Sequence, residues 1–182
     1  IQNVPVNLVE RVEVYQGVVP IRFGADALGG AVQLVTDDNI RRSRLSASYQ
    51  SGDFDTHRTT ASARLFHEPT GLMVRSSVFY DTAANDYDVD VSTFDAQGRT
   101  RPVTVPRFHD GYRAGGVNVG VGIVDRTWAD RLVLSGFLSS FDNDIQNGAT
   151  MARPFGEVTF ERKTSGANLK YAVTHSGVRI EP

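Results

Sequence analysis

The sequence predicts a mostly β chain in two parts, a compact glycine-punctuated segment over residues 1–37 and about six antiparallel strands over residues 38–182. Three observations predict it. Glycines separate two short β-prone runs in the first part. After the polar junction Asp37-Asp38-Asn39, apolar residues alternate with small or polar ones along six stretches, which is the period at which a strand turns successive side chains to opposite faces. The two longest links between those stretches fall on the same end of the sheet.

In the first part, Pro5 and Asn7 suit a short helical turn before Leu8 and Val9. Arg11-Val12-Glu13-Val14-Tyr15 puts Val12 and Val14 on one side and charged or polar groups on the other. Ala31-Val32-Gln33-Leu34-Val35 is a nearly continuous β-prone run. Gly17, Gly24, Gly29 and Gly30 lie between them and permit tight turns.

The six stretches follow in order. Leu45, Ala47 and Tyr49 oppose Arg44, Ser46, Ser48 and Gln50. Thr59, Ala61, Ala63 and Leu65 oppose Thr60, Ser62, Arg64 and Phe66. Leu72, Val74, Val78 and Tyr80 oppose Arg75 and Ser77. Gly115, Val117, Val119, Val121 and Ile123 oppose Asn118 and three glycines. Leu132, Leu134 and Leu138 share a side, although Val133, Phe137 and Phe141 blur the other. Ala167, Leu169, Tyr171 and Val173 alternate with Asn168, Lys170 and Thr174.

The links after the first, third and fifth stretches are 52–57, 82–112 and 142–165, and those after the second and fourth are short, 67–71 and 124–130. Transmembrane β-barrels have this asymmetry, with short periplasmic turns and long extracellular loops. The first link is short for an outer loop. A soluble antiparallel sandwich also alternates. The long strands, and the many small residues on the less apolar face, favour a barrel wall beside a wet or occupied lumen. A sandwich would bury Leu45, Tyr49, Val74, Val117, Val121, Leu134 and Leu169; a barrel would place them on one outward face.

Composition narrows the field. With 19 basic and 21 acidic side chains the formal net charge is -2, and no basic field invites nucleic acid. There is no cysteine, so disulfides and thiolate metal sites are excluded. The 182 residues contain no apolar run long enough for a membrane-spanning helix, which leaves barrel strands open. The sequence starts at Ile1 without a signal peptide, so an export signal is expected upstream and the chain reads as a fragment.

Val9-Glu10-Arg11-Val12-Glu13-Val14-Tyr15-Gln16-Gly17 resembles the IERIEVxxG element in the plug domain of TonB-dependent outer-membrane receptors. The run from Phe23-Gly24-Ala25 through Gly29-Gly30 to Thr36 is similar to the YGSxAxGGVINIIT that follows it there. The resemblance covers residues 1–37, with Glu10, Arg11, Glu13, Gly17, Gly24, Gly29 and Gly30 as its motif positions; residues 38–182 fit in pattern only. Arg107-Phe108-His109-Asp110-Gly111-Tyr112 and Trp128-Ala129-Asp130-Arg131-Leu132 also look similar to receptors of this class. One departure stands out: Val18 and Val19 precede Pro20, where the family often has Pro directly after the glycine. The resemblance implies the end of a plug over 1–37 and the first strands of a barrel of about 22. It implies nutrient import to the periplasm with energy relayed by TonB through an upstream segment. Outer-membrane lipid and, in some such systems, a surface lipoprotein are the further partners implied.

No enzyme chemistry is indicated. Asp86-x-Asp88-x-Asp90 begins like a calcium loop, but Val91 and Gln97 stand where Gly and Glu are needed. His57, His67, His109 and His175 lack metal-ligand spacing, and neither a nucleophile elbow nor a dinucleotide fingerprint is present. No cofactor is expected. In the long link, Tyr87, Phe94, Phe108 and Tyr112 interleave with Asp86, Asp88, Asp90, Arg107 and His109. Aromatics with a few polar groups on a loop above a rigid scaffold suit capture of a small ligand. The alternative to transport is a soluble or surface β-sandwich used for binding or adhesion.

Overall fold

The computed structural model describes residues 9–17, 29–36, 41–147, 154–175 and 178–180. Pro5, Gly24 and the proposed helical turn lie outside them. The first part forms one antiparallel hairpin, β1 (Val9–Gln16) with β2 (Gly30–Thr36). Gly30 opens β2 at φ +138, and a Cβ there would stand 2.5 Å from the Tyr15 carbonyl oxygen. Only glycine allows that approach.

The second part is a single sheet with the order β11-β10-β9-β8-β5-β4-β3. Its strands are β3 (Arg44–Gly52), β4 (Thr56–His67), β5 (Leu72–Ala83), β8 (Tyr112–Arg126), β9 (Ala129–Asn147), β10 (Pro154–His175) and the short β11 (Val178–Ile180). All neighbours are antiparallel. Each of the six alternating stretches is one strand of this meander, from β3 to β10. Between β5 and β8 the chain leaves the sheet as its own hairpin, β6 (Asp88–Phe94) with β7 (Thr100–Pro106).

Two links differ from the sequence reading. The stretch 82–112 is a hairpin rather than an open loop, with Val89 opposite Val105 and Val91 opposite Val103. The stretch 142–165 is largely strand: Asp142 pairs with Glu161 and Ile145 with Val158, so β9 and β10 run on together past the alternating region. Backbone pairing carries that extension, because the Asp142-Asn143-Asp144 run has no apolar alternation to announce it.

Register explains the sidedness of the sheet. Antiparallel partners point to the same face. Leu65, Val74, Val121, Leu134 and Leu169 therefore form one line across five strands. Leu45, Ala63, Ser76, Val119, Gly136 and Ala167 form the next, followed by Ala47, Ala61, Val78, Val117, Leu138 and Ser165. On this face Leu45, Leu65, Leu134, Leu138 and Leu169 are 58% to 80% exposed. Tyr49, Val117 and Val121 are exposed too, and Val74 is half-buried. No second layer covers this face among the described residues. A sandwich would have buried these side chains, and here they are open.

The small buried cluster lies on the other face, near the short turns, and includes Met73, Val124 and Val133. Those turns are well tied. Arg126 donates to the carbonyls of Glu68, Pro69 and Thr70, gathering the β4–β5 turn onto the end of β8. Arg41 forms a two-pronged pair with Asp125, 3.0 Å on each bond, linking the entry to β3 with the same rim.

Candidate functional site

Of the residues singled out in the long link, Tyr87, Arg107, Phe108, His109 and Tyr112 gather at the end of the sheet opposite those short turns. Arg107 is their centre. Its side chain is 9% exposed, reaches the Asp110 carboxylate at 2.6 Å and lies over the Tyr87 ring, 5.2 Å from its centroid. The backbone closes the same unit, with Arg107 N–H donating to the Tyr87 carbonyl at 3.1 Å. A guanidinium held between a carboxylate and a ring face is fixed in both charge and plane.

The neighbouring residues tie this unit to the strands. Phe108 N–H donates to Gln146 Oε1 at 2.8 Å, which leaves its ring outside and 64% exposed. His109 Nε2 is 3.0 Å from the Val158 carbonyl, so that nitrogen carries the proton; Nδ1 lies 4.0 Å from Asp144 Oδ2. Asp144 N–H donates to the Gly111 carbonyl and Asn85 Nδ2 to that of Asp110. Tyr112 starts β8 and stacks on Phe141 with ring centroids 6.2 Å apart.

Sequence reasoning missed Phe54, Asp110, Asp144 and Gln146. Phe54 sits in the β3–β4 turn at φ +59, followed by Asp55 at φ +52. A bulky residue in that region is strained, and here it presents its ring edge-on to Tyr87 at 5.6 Å while its carbonyl accepts from Ala84 N–H. No local signal announces it, since neither residue is glycine. The parts of β9 and β10 that supply Gln146, Asp144 and Val158 lie in 142–165, which the sequence reading takes as a link because it carries no apolar alternation.

The remaining candidates do not join this cluster. Asp86 is exposed, ahead of β6. Asp88 and Asp90 project from β6, and Asp90 accepts from Thr104 Oγ1 at 2.7 Å. Phe94 is 72% exposed at the far end of the hairpin. Among the described residues, no group of three or more His, Asp and Glu side chains stands close enough to hold a metal ion. What the Arg107 unit offers is a rigid base under a set of exposed rings and polar groups, suited to recognition.

Of the motif positions in the first part, Arg11 and Glu13 pair at 2.7 Å on β1, and Tyr15 donates to the same carboxylate at 2.7 Å. Gly17 ends β1 in a left-handed conformation, φ +78, and Gly29 precedes β2. Glu10 lies on β1.

No protein-family profile, curated protein or solved structure matches this chain. Its functional reading therefore rests on its own residues and geometry.

Proposed function

We propose that the chain is the end of a plug and the first strands of the barrel of a TonB-dependent outer-membrane transporter, which takes up a small extracellular nutrient. One observation carries the reading: the exposed apolar face is a band with amphipathic rings at both ends. At one end Tyr49 and Tyr80 share a line with Thr59, Gly115, Ser140 and Lys163. At the other, Tyr171 shares a line with Leu72, Ile123 and Leu132, and its hydroxyl donates to the Trp128 carbonyl at 2.8 Å. Between those lines the face holds no Asp, Glu, Lys or Arg. Eight residue steps at about 3.3 Å make roughly 26 Å of strand. Tilted by about 40°, that covers roughly 20 Å of thickness, close to the apolar band of outer-membrane barrels.

The opposite face supports the same reading, with Ser46, Ser48, Ser62, Ser77, Asn118 and Ser139 turned to it, as suits a wet or plugged lumen. The open edge of β3, and of β10 beyond its few pairs with β11, would be paired by further strands of the barrel. By this reading the Arg107 unit and its exposed rings lie outside the cell and contribute to ligand capture. The β1–β2 hairpin belongs to the plug. Transport is then binding followed by a coupled shift of the plug, which requires the nutrient and TonB to favour different plug states.

The test is membrane fractionation of the full-length protein. The reading expects it in the outer membrane, running in detergent gels as a heat-modifiable barrel; recovery as a soluble protein overturns it.

A further inference from the structure

The β6–β7 hairpin is a two-stranded sheet of its own, and such a ribbon is marginal in water unless a third strand or another layer joins it. Its register decides where a strand could join. Arg107 N–H donates to the Tyr87 carbonyl at the base of the hairpin, and Asp95 N–H donates to the Arg99 carbonyl at its tip. In an antiparallel ladder, bonded pairs alternate with pairs whose N–H and C=O groups turn outward. Between those two bonds, Val89–Val105, Val91–Val103 and Thr93–Arg101 are therefore the bonded pairs. Asp88, Asp90, Ser92 and Phe94 turn their backbone groups away from β7, and Thr100, Pro102, Thr104 and Pro106 turn theirs away from β6.

The two outer edges are unlike. On β7, Pro102 and Pro106 have no N–H to offer, which closes that edge to a further strand. On β6 all four outward residues keep theirs, and among the described residues no other strand pairs with them. The faces differ as well. Val89, Val91, Val103 and Val105 share one face and are only half-buried, while Asp88, Asp90, Ser92 and Phe94 are exposed on the other. Asp86, just ahead of β6, is also exposed, and Asp90 accepts from a neutral donor, Thr104 Oγ1. The one cation on these two strands, Arg101, is opposite Thr93 and so lies on the valine face.

We propose that the β6 edge is a binding site for an extended peptide, which adds to the hairpin as a third strand. The two faces specify its chemistry. Alternate side chains of an added strand fall on alternate faces. Basic residues thus lie beside Asp88 and Asp90, and the apolar residues between them widen the valine face. The peptide backbone bonds to the outward N–H and C=O groups of Asp88, Asp90 and Ser92. The site uses the hairpin alone, so it stands apart from the transporter reading.

The full-length protein is titrated by fluorescence anisotropy with a labelled peptide of alternating lysine and valine. Companion peptides carry glutamate for lysine, or a methyl group on the backbone nitrogen of every lysine or of every valine. The lysine–valine peptide should bind saturably. Methylation at the lysines, the residues set to bond Asp88 and Asp90, should abolish binding, and methylation at the valines should not. Ser92→Pro removes one outward N–H and should weaken binding by about tenfold, whereas Ser92→Ala should leave it unchanged. Asp88→Lys/Asp90→Lys should move the preference to the glutamate peptide. Hydrogen exchange at residues 97–99 shows that the hairpin of each variant is folded, and the methylated peptides test the edge with the protein unaltered. No binding by the wild type overturns the proposal. So does binding that ignores both Ser92→Pro and methylation at the lysines, which is charge attraction alone. Slow exchange at Asp88, Asp90 and Ser92 in the free protein overturns it too: the edge is then already covered by another part of the chain or, where Ser92→Pro dissolves a dimer, by a second copy.

Discussion

Arg107 and Asp110 form an ion pair 2.6 Å long whose side chains are 9% and 18% exposed. The pair holds the approach to β8 in place, because Tyr87, Gln146 and Asn85 all bond to the same short segment. Removing one partner of a buried pair costs roughly 3–5 kcal/mol. Arg107→Ala should therefore loosen residues 107–111 and, on the proposed transporter reading, abolish ligand capture while the barrel still assembles. Arg107→Lys should restore little, since an ammonium cannot lie flat on the Tyr87 ring. Hydrogen exchange over this segment checks both; unchanged protection in Arg107→Ala would refute the structural role.

The apolar band makes a prediction about charge. Leu134 and Val119 are exposed on that face, near its middle. In the proposed barrel, Arg at either position should cost roughly 2–4 kcal/mol of stability. Arg at Asn168, which points to the polar face, should cost far less. Urea-induced unfolding in lipid vesicles, read by heat-modifiability, measures the difference.

Close packing on the polar face makes another. A Cβ at Gly122 would stand 2.5 Å from the Leu132 carbonyl oxygen and 2.6 Å from Val133 Cγ2, whereas a Cβ at Gly156 would meet nothing within 4 Å. Backbone cannot yield as a flexible side chain can. Gly122→Ala should lower the unfolding midpoint clearly and Gly156→Ala should leave it in place, as thermal unfolding of the two variants will show.

The tip of the β6–β7 hairpin should respond to acid. The backbone N–H of Arg99 above all, helped by its guanidinium and by the Gln97 N–H, holds the Asp95 carboxyl below the ordinary carboxylate range. Its folded pKa is depressed, so its contribution is fully present above the unfolded value of about 3.9. That contribution fades as pH falls below this value and through the folded pKa. Exchange protection at residues 97–99, corrected for intrinsic rate, should hold from pH 7 to pH 5 and drop near pH 3. In Asp95→Asn it should be low throughout.

The meander was legible because a single-layer sheet imposes different chemistry on its two faces, and period-two alternation records that difference directly. Leu132, Leu134 and Leu138 show it even where Phe137 and Phe141 intrude. The β6–β7 hairpin was also written in the sequence, as Val89 and Val91 against Val103 and Val105 around an Asp95-to-Gly98 turn. Reading 82–112 as one loop overlooked it. The upper parts of β9 and β10 were not legible, because outside the apolar band neither face demands a pattern. The same holds for the site. Tyr87 and Arg107 were readable as candidates, but the strained Phe54 beside them, and Gln146 beneath Phe108, depend on long-range pairing.

Nitroxide scanning along β9 most directly tests which way the two faces look. Spin labels placed singly at residues 132–140 of the full-length protein in lipid vesicles would be probed with oxygen, which concentrates in lipid, and with a polar nickel chelate. Oxygen accessibility should peak at positions 132, 134, 136 and 138 and fall at 133, 135, 137 and 139. Uniform accessibility to the nickel chelate, or oxygen maxima at the odd positions, would contradict an apolar face turned to lipid.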